Sequence, residues 1–486
     1  MRNINYPERS PAGRPKDFRT ARRLDVFRGM KQEISVATER TTQYIAGTAT
    51  RTTRTRYSIL AMILLLATVA YADRAILSIA GPGISKEFGL NHVQLGYVLS
   101  AFSWAYVVGQ IPGGLLLDRL GTKTMYGATL ILWSIATMLV GFIGNFTSNL
   151  SIALGLLFAL RFALGLIEAP SFPANGRVAV MWFPKEERGL ATSLFASASY
   201  FAVAIFSPFA GWLTSRFGWP APFIALGLIG IAAAGVWAVV MHEPRNHPRV
   251  SSSELDYIIA GGAMIDIDSK HELKSRPAIS SGVMRMLLGN RMLWCSYIGQ
   301  YCTIALSYFF ITWFPIYLVQ ARGMNVMQAG FATMVPAIAG FVGGIAGGTI
   351  SDWLIRRGWS VSWARKTPYI IGMAMGCSIV LSAVTESNVV IVMLMTLAFF
   401  GKGAAAGAGT WAIVSDTAPR EAVGLAGAIF NCIGNIGGIV TPIVFGYLVQ
   451  ATGGYTVGLY FVAAHCLVAA IVYLFFMGKI ERVKMS

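Results

Sequence analysis

Twelve apolar stretches, each long enough to cross a lipid bilayer, run through this 486-residue chain and leave few folds open to it. About 20 apolar residues suffice for one spanning helix. The stretches centre on residues 58–81, 95–118, 125–145, 150–174, 190–214, 220–241, 293–318, 328–355, 367–384, 388–415, 421–447 and 455–477. Buried helices of a soluble enzyme would show polar faces at 3.6-residue spacing, and a run such as residues 57–71 shows none. Charged residues make up only 13% of the chain, about half the usual quarter. The expectation is an all-α membrane protein of twelve transmembrane helices.

The net charge of +17 raises the question of nucleic acid, but its placement answers it. With the N-terminus inside, the inner segments hold Arg119, Lys123, Lys185, Arg188, Arg356, Arg357, Arg365 and Lys366, whereas the outer loops hold Lys86, Arg216 and Arg322. That asymmetry sets a topology with both termini cytoplasmic. No basic stretch is interleaved with aromatics as a nucleic-acid surface requires. Residues 1–56 carry 13 Lys/Arg against 5 Asp/Glu and lack an apolar run. They are expected to form a disordered basic cytoplasmic tail, with Met30 an alternative start. The five cysteines (Cys295, Cys302, Cys377, Cys432, Cys466) fall in predicted spans without metal spacing, and the five histidines are scattered. No metal and no cofactor are expected. A nucleotide-driven pump would need GxxxxGK[ST] and a zinc peptidase HExxH; neither occurs, and the chain is not expected to be an enzyme.

Residues 242–292 interrupt the apolar pattern with a polar, mixed-charge stretch. It divides the chain into an expected N-terminal six-helix bundle (57–241), a central cytoplasmic loop (242–292) and a C-terminal bundle (293–482), the layout of a repeated transporter. The halves share a signal between their second and third spans: Gly114-Leu-Leu-Leu-Asp118-Arg119-Leu-Gly121-Thr122-Lys123, and Gly348-Thr-Ile-Ser-Asp352 followed by Arg356 and Arg357. Glycine lets helices approach closely, the aspartate can accept from a neighbouring helix N-terminus, and the basic residues anchor the loop. The motif reads as a conformational gate without substrate contact.

Five ionisable residues lie inside the apolar stretches: Asp73, Arg74, Arg161, Glu168 and Lys402. Each costs roughly 3 kcal/mol at membrane depth on insertion scales, so they point to a polar path for an ion or anion and to proton coupling. Asp73 and Arg74 are neighbours, about 100° apart around a helix, so they cannot simply pair face to face, and each needs a partner on another helix or a wet cavity. Arg161 and Glu168, seven residues apart, share one face of the fourth span. A purely structural charge quartet is the alternative, although buried ion pairs stabilise poorly relative to apolar packing. Lys402 sits about 14 residues into its span, between Gly401 and Gly403, which would open space around it; snorkelling to the outer interface is the alternative.

The paired loop motif resembles the major facilitator superfamily. Tyr71-Ala-Asp73-Arg74-Ala, Pro112-Gly113-Gly114, Glu168-Ala-Pro170-Ser171-Phe172-Pro173 and Thr312-Trp313-Phe314-Pro315 resemble its anion:cation symporter family. Within it, Tyr308-Phe-Phe-Ile-Thr-Trp-Phe-Pro, Val319-Gln-Ala-Arg322-Gly-Met and Ala398-Phe-Phe-Gly-Lys402-Gly resemble the bacterial glucarate/galactarate branch. The resemblance implies two six-helix bundles around a central cavity and proton-coupled import of a small organic anion by alternating access. A sugar diacid such as glucarate or galactarate is implied first; a hexuronate, an aldonate or an aromatic acid is the alternative. It also implies that Asp73 and Glu168 titrate, Arg161 tunes them, and Arg74 contacts the anion. Lys402 would supply the second cation that a dicarboxylate needs. Tyr71, Tyr106, Gln300, Tyr308, Thr410, Trp411 and Asn431 are candidates to read the sugar chain. Ser199 stands where related carriers have Gln. The protein is expected as a monomer in the cell inner membrane, with protons and lipid bilayer as its other partners.

Overall fold

The computed structural model describes residues 53–268, 281–408, 410–419 and 422–483. Most of the expected basic tail, residues 1–52, lies outside them, as do residues 269–280 of the central loop. Among the described residues the secondary structure is helical, with no strand.

Twelve long segments follow the predicted stretches. They are α1 Thr55–Phe88, α2 His92–Leu120, α3 Thr122–Gly141, α4 Leu150–Trp182, α5 Arg188–Phe217, α6 Pro220–Val240, α7 Arg291–Gln320, α8 Val326–Arg356, α9 Val361–Gly376, α10 Asn388–Gly407, α11 Val423–Thr452 and α12 Thr456–Phe476. Ten are long and apolar enough to cross a membrane; α2 and α9, the latter extended by 3-10 turns over Cys377–Ala383, complete the count.

Local chemistry explains the starts. Asn91 begins α2 with a reciprocal cap, accepting from the Gln94 amide while the Gln94 side chain accepts from the Asn91 amide, and Asn325 and Gln328 do the same for α8. Each cap satisfies amides that the first helical turn leaves free. In both halves the cap precedes the motif glycine by the same distance, 91 to 114 and 325 to 348. This second repeat was legible in the sequence as Asn-x-x-Gln.

The helices of each half pack together, and two seams join the halves, α2 against α11 and α5 against α8. Glycine makes both seams close. A Cβ on Gly96 would strike the Pro442 carbonyl, and one on Gly330 the Ser207 carbonyl. These contacts lie toward the end of the bundle that holds the α1–α2 loop. Side-chain hydrogen bonds across the halves join His92 to Gln450 and Tyr97 to Tyr447 at that end, and Lys402 to Tyr200 at mid-helix.

Gly401 and Gly403 do something other than open space around Lys402. Gly401 faces the Gly372 carbonyl on α9, and Gly403 faces the Gly340 carbonyl on α8. They let two helices close on α10, and the backbone contact is where a methyl group would have to fit. Gly403→Ala is therefore expected to destabilise the protein by roughly 1–3 kcal/mol through overpacking, read as a lower thermal midpoint in detergent, while Gly114→Ala, whose Cβ meets open space, should shift it little.

The central loop holds a short helix, Ser252–Ala260, which docks on the start of α1. Its fully buried Glu254 accepts from Thr53 Oγ1 at 2.6 Å, the Thr55 and Arg56 amides at 3.0 and 3.1 Å, and the Arg56 guanidinium at 3.3 Å. Arg56 also pairs with Glu187 between α4 and α5 at 2.9 Å. Burial opposes the charge on Glu254, but the bonds from Thr53, Arg56 and Thr55 outweigh it and hold the carboxyl below its ordinary range. A depressed folded value means that this stabilisation is present above the unfolded value and is lost as pH falls through the folded one. Glu254→Gln should thus lower the thermal midpoint at pH 7, and the gap to wild type should close as the medium is acidified below about pH 4.

Candidate functional site

α4 breaks at Ala169–Pro170, so Glu168 occupies the last residue of the helix Leu150–Glu168. The break sits against α2, where a Cβ on Gly113 would meet Pro170 at 3.1 Å. Opposite stands α1, whose Asp73 and Arg74 point to different neighbours as their 100° separation requires. Arg74 Nη2 donates to Glu168 Oε1 at 2.5 Å, and Arg161 Nη1 to Asp73 Oδ2 at 2.8 Å. The four charges form two crossed pairs between α1 and α4.

The pairs differ in setting. Asp73 is wholly buried and also accepts from Thr137 Oγ1 on α3 at 2.7 Å, so its carboxylate is bound from two helices. Arg74 lies in an aromatic box, its guanidinium carbon 4.7 Å from the Tyr71 ring centre, 4.3 Å from Phe102 and 5.0 Å from Tyr106. Stacking with rings holds a guanidinium without consuming its donors. Among the described residues Arg74 Nε and Glu168 Oε2 are buried without a hydrogen-bond partner, as are Tyr308 Oη and Ser103 Oγ. The Tyr308 ring and Ser103 meet over Gly438 of α11. This is a polar enclosure at the junction of α1, α2, α4, α7 and α11 with spare donors and acceptors.

α7 is shaped at this level by Pro315. The ring nitrogen cannot donate, and the preceding turn widens to a π-turn over Phe309–Trp313, a local unwinding common at functional sites. Trp313 then anchors the helix by donating to the Pro442 carbonyl at 3.0 Å.

Lys402 stands on α10 in the other half, 9% exposed. Its Nζ donates to Tyr200 Oη on α5 at 3.1 Å and lies 4.8 and 5.1 Å from the Tyr200 and Phe399 ring centres. It does not snorkel. Phe399 in turn packs at 4.3 Å on Phe310 of α7, two residues from Tyr308.

The remaining candidates separate. Tyr71, Tyr106 and Tyr308 gather with Arg74. Gln300 is buried on α7 and packs over Gly434, while Asn431, one turn earlier on α11, accepts from Asn435 Nδ2 at 3.1 Å. Thr410 is buried, but Trp411 is 43% exposed and packs edge-on against Phe430. Ser199 is half-buried and its neighbour Tyr200 makes the Lys402 contact. Phe102, Thr137 and Tyr200 escaped sequence reading because an aromatic or a threonine on an apolar helix carries no sign of what it faces.

At the ends of α2 and α8 the motif aspartates pair with arginine side chains. Asp118 pairs with Arg177 of α4, and Arg177 also bonds Asp268 of the central loop at 3.2 Å. Asp268 in turn accepts from the Thr122 amide at 2.8 Å, beside Gly121 at φ +75°, a backbone conformation suited to glycine. Asp352 pairs with Arg365 of α9 at 3.2 Å. The close helix approach falls at Gly113 and Gly348 rather than at Gly114. Arg119 lies at the C-terminal end of α2, where a cation suits the helix dipole.

Two bundles of membrane-length helices, closed on one another at one end and holding paired charges at their centre, define a membrane transporter. The profile of the Major Facilitator Superfamily matches residues 63–363 and 358–484, and the chain belongs to that superfamily. It is 50% identical over 439 residues to a probable galactarate/D-glucarate transporter of Bacillus subtilis (strain 168), covering 90% of this chain and 94% of that one. A probable galactarate/D-glucarate transporter of Escherichia coli (strain K12) is 49% identical, with 91% and 97% covered. The crystal structure of a D-xylose-proton symporter superposes with a TM-score of 0.68 at 15% identity over 87% of this chain and 98% of that one, a likeness of fold.

Proposed function

We propose that this protein is a proton-coupled symporter that imports a sugar diacid, glucarate or galactarate, across the cell inner membrane, working as a monomer with both termini cytoplasmic. The observation that carries the proposal is the Arg74–Glu168 pair inside its aromatic box, with a second cation, Lys402, on the opposite half. The curated relatives, named for the same two diacids, support the choice of substrate.

The geometry suits coupling. Glu168 occupies the guanidinium that an anion would use, so a carboxylate ligand and an ionised Glu168 compete for Arg74. A proton on Glu168 removes the competitor and frees Arg74 for charge-assisted contact with one carboxylate. Lys402 takes the other, and closing the halves around the bound diacid couples binding to the alternation of access. Asp73, held by Arg161 and Thr137, serves as the second acid, and its protonation loosens α1 from α4. In this topology the end fastened by His92–Gln450 and Tyr97–Tyr447 faces outward, and the Asp118 and Asp352 clusters face the cytoplasm as gates.

Uptake of labelled glucarate and galactarate into proteoliposomes, with and without an inward proton gradient, tests the proposal. Gradient-dependent accumulation competed by either diacid supports it. Accumulation competed better by galactonate, a hexuronate or an aromatic acid would replace the sugar diacid, and uptake indifferent to the gradient would remove the coupling.

A further inference from the structure

We infer that Tyr200 is a specificity-determining residue that completes a two-donor seat with Lys402 for the distal carboxylate of a diacid. The inference rests on the function proposed above and adds to it a residue that neither the loop motifs nor the charged quartet would single out.

Three features of the structure carry it. First, Lys402 Nζ donates to Tyr200 Oη at 3.1 Å, so the phenol oxygen spends a lone pair on the ammonium. Among the described residues the hydroxyl donates to no acceptor, which leaves its proton to offer. Ammonium and phenol then present two adjacent donors of the kind a carboxylate accepts. Second, the ring is held in place. It lies edge-on to Phe399 at 5.8 Å, and a Cβ on Gly340 of α8 would come within 2.7 Å of its Cε1 and 2.8 Å of Phe399 Cδ1. The slot fits a glycine opposite the ring, and the hydroxyl is thereby aimed before any ligand arrives. Third, Tyr200 lies on α5 of the first half and Lys402 on α10 of the second, and Phe399, which the Tyr200 ring meets edge-on, packs at 4.3 Å on Phe310, two residues along α7 from Tyr308. The seat thus bridges the two halves beside the stretch of α7 that carries Tyr308.

An ammonium is a mobile point charge on a flexible stem. A phenol that both accepts from it and donates alongside it restricts the ammonium and adds a directional contact. A monocarboxylate bound at Arg74 makes neither contact and is indifferent to both.

The test compares wild type, Tyr200→Phe, Lys402→Asn and the double variant, each as full-length protein, by calorimetric binding of galactarate and of galactonate. Tyr200→Phe keeps the ring and its packing; the thermal midpoint of each variant without ligand is measured alongside. The expected result is a roughly 10-fold loss of galactarate affinity in Tyr200→Phe, less than about twofold for galactonate, and little further loss when it is added to Lys402→Asn. Equal losses for both ligands, or a loss that multiplies fully with that of Lys402→Asn, would overturn the seat and leave Tyr200 a packing residue. Wild-type protein that binds neither galactarate nor glucarate would remove the proposed function and this inference together. Wild-type binding of both with an unmoved galactarate/galactonate ratio in Tyr200→Phe removes this inference alone.

Discussion

Lys402→Asn should cut transport of glucarate and galactarate by roughly 10- to 100-fold in kcat/KM while leaving galactonate nearly unchanged. A hydrogen bond to a charged group contributes about 1.5–3 kcal/mol, which sets that range. The second carboxylate of a diacid is costly to desolvate without a cation, and Lys402 is a buried cation of the second half, bonded to Tyr200 of α5. A ligand with one carboxylate, held at Arg74, has nothing to lose there. Competition of unlabelled galactarate and galactonate against labelled glucarate, in wild type and variant, measures the difference. An equal loss for both ligands rejects Lys402 as the second clamp.

Glu168→Gln should abolish concentrative uptake, bringing the accumulation ratio under a proton gradient to about 1, yet preserve exchange. The amide is a neutral imitation of the protonated acid: it no longer holds Arg74 as a carboxylate does, and it cannot release a proton on the other side. Binding at Arg74 therefore survives while the link to the gradient is lost. Two measurements on the same proteoliposomes separate the effects, counterflow with preloaded substrate and uptake driven by an imposed pH difference. A variant that still concentrates substrate shows that Glu168 is not the coupling acid. Thr137→Val offers a contrast, because it removes a donor to Asp73 and leaves the Arg74–Glu168 pair intact; it should leave the ratio of diacid to monoacid transport unchanged.

Much of the fold was legible from apolar run length alone. The spans predicted at 58–81 and 328–355 became Thr55–Phe88 and Val326–Arg356, the first longer by about three turns and the second by less than one. Hydropathy works this well because a backbone inside lipid must satisfy its own hydrogen bonds, and a helix is the local way to do so. The repeat was legible twice, in the GxxxD loops and in the Asn-x-x-Gln caps, because both signals are short and local.

The five intramembrane charges were visible for the same reason that they are costly. Their partners were not. Helical geometry showed that Asp73 and Arg74 could not simply pair with each other, and that Arg161 and Glu168 lay on one face. That Arg161 would take Asp73 and Glu168 would take Arg74 depends on the rotation and depth of α4 against α1, which packing of the whole bundle decides. The glycines beside Lys402 show the limit most clearly. In the sequence they suggested room for a ligand; in the fold they are filled by the backbones of α8 and α9. Tyr200 and Phe102 are aromatic residues on apolar helices, and only the packing of α5 on α8, which brings α10 within reach, and of α2 beside α1 gave them a charge to face. Sequence determined which segments form helices of membrane length and which charges lie inside them, since these follow from local composition. The tertiary structure decided how those charges pair and which rings enclose them, since side chains far apart in the chain meet only once the helices have packed.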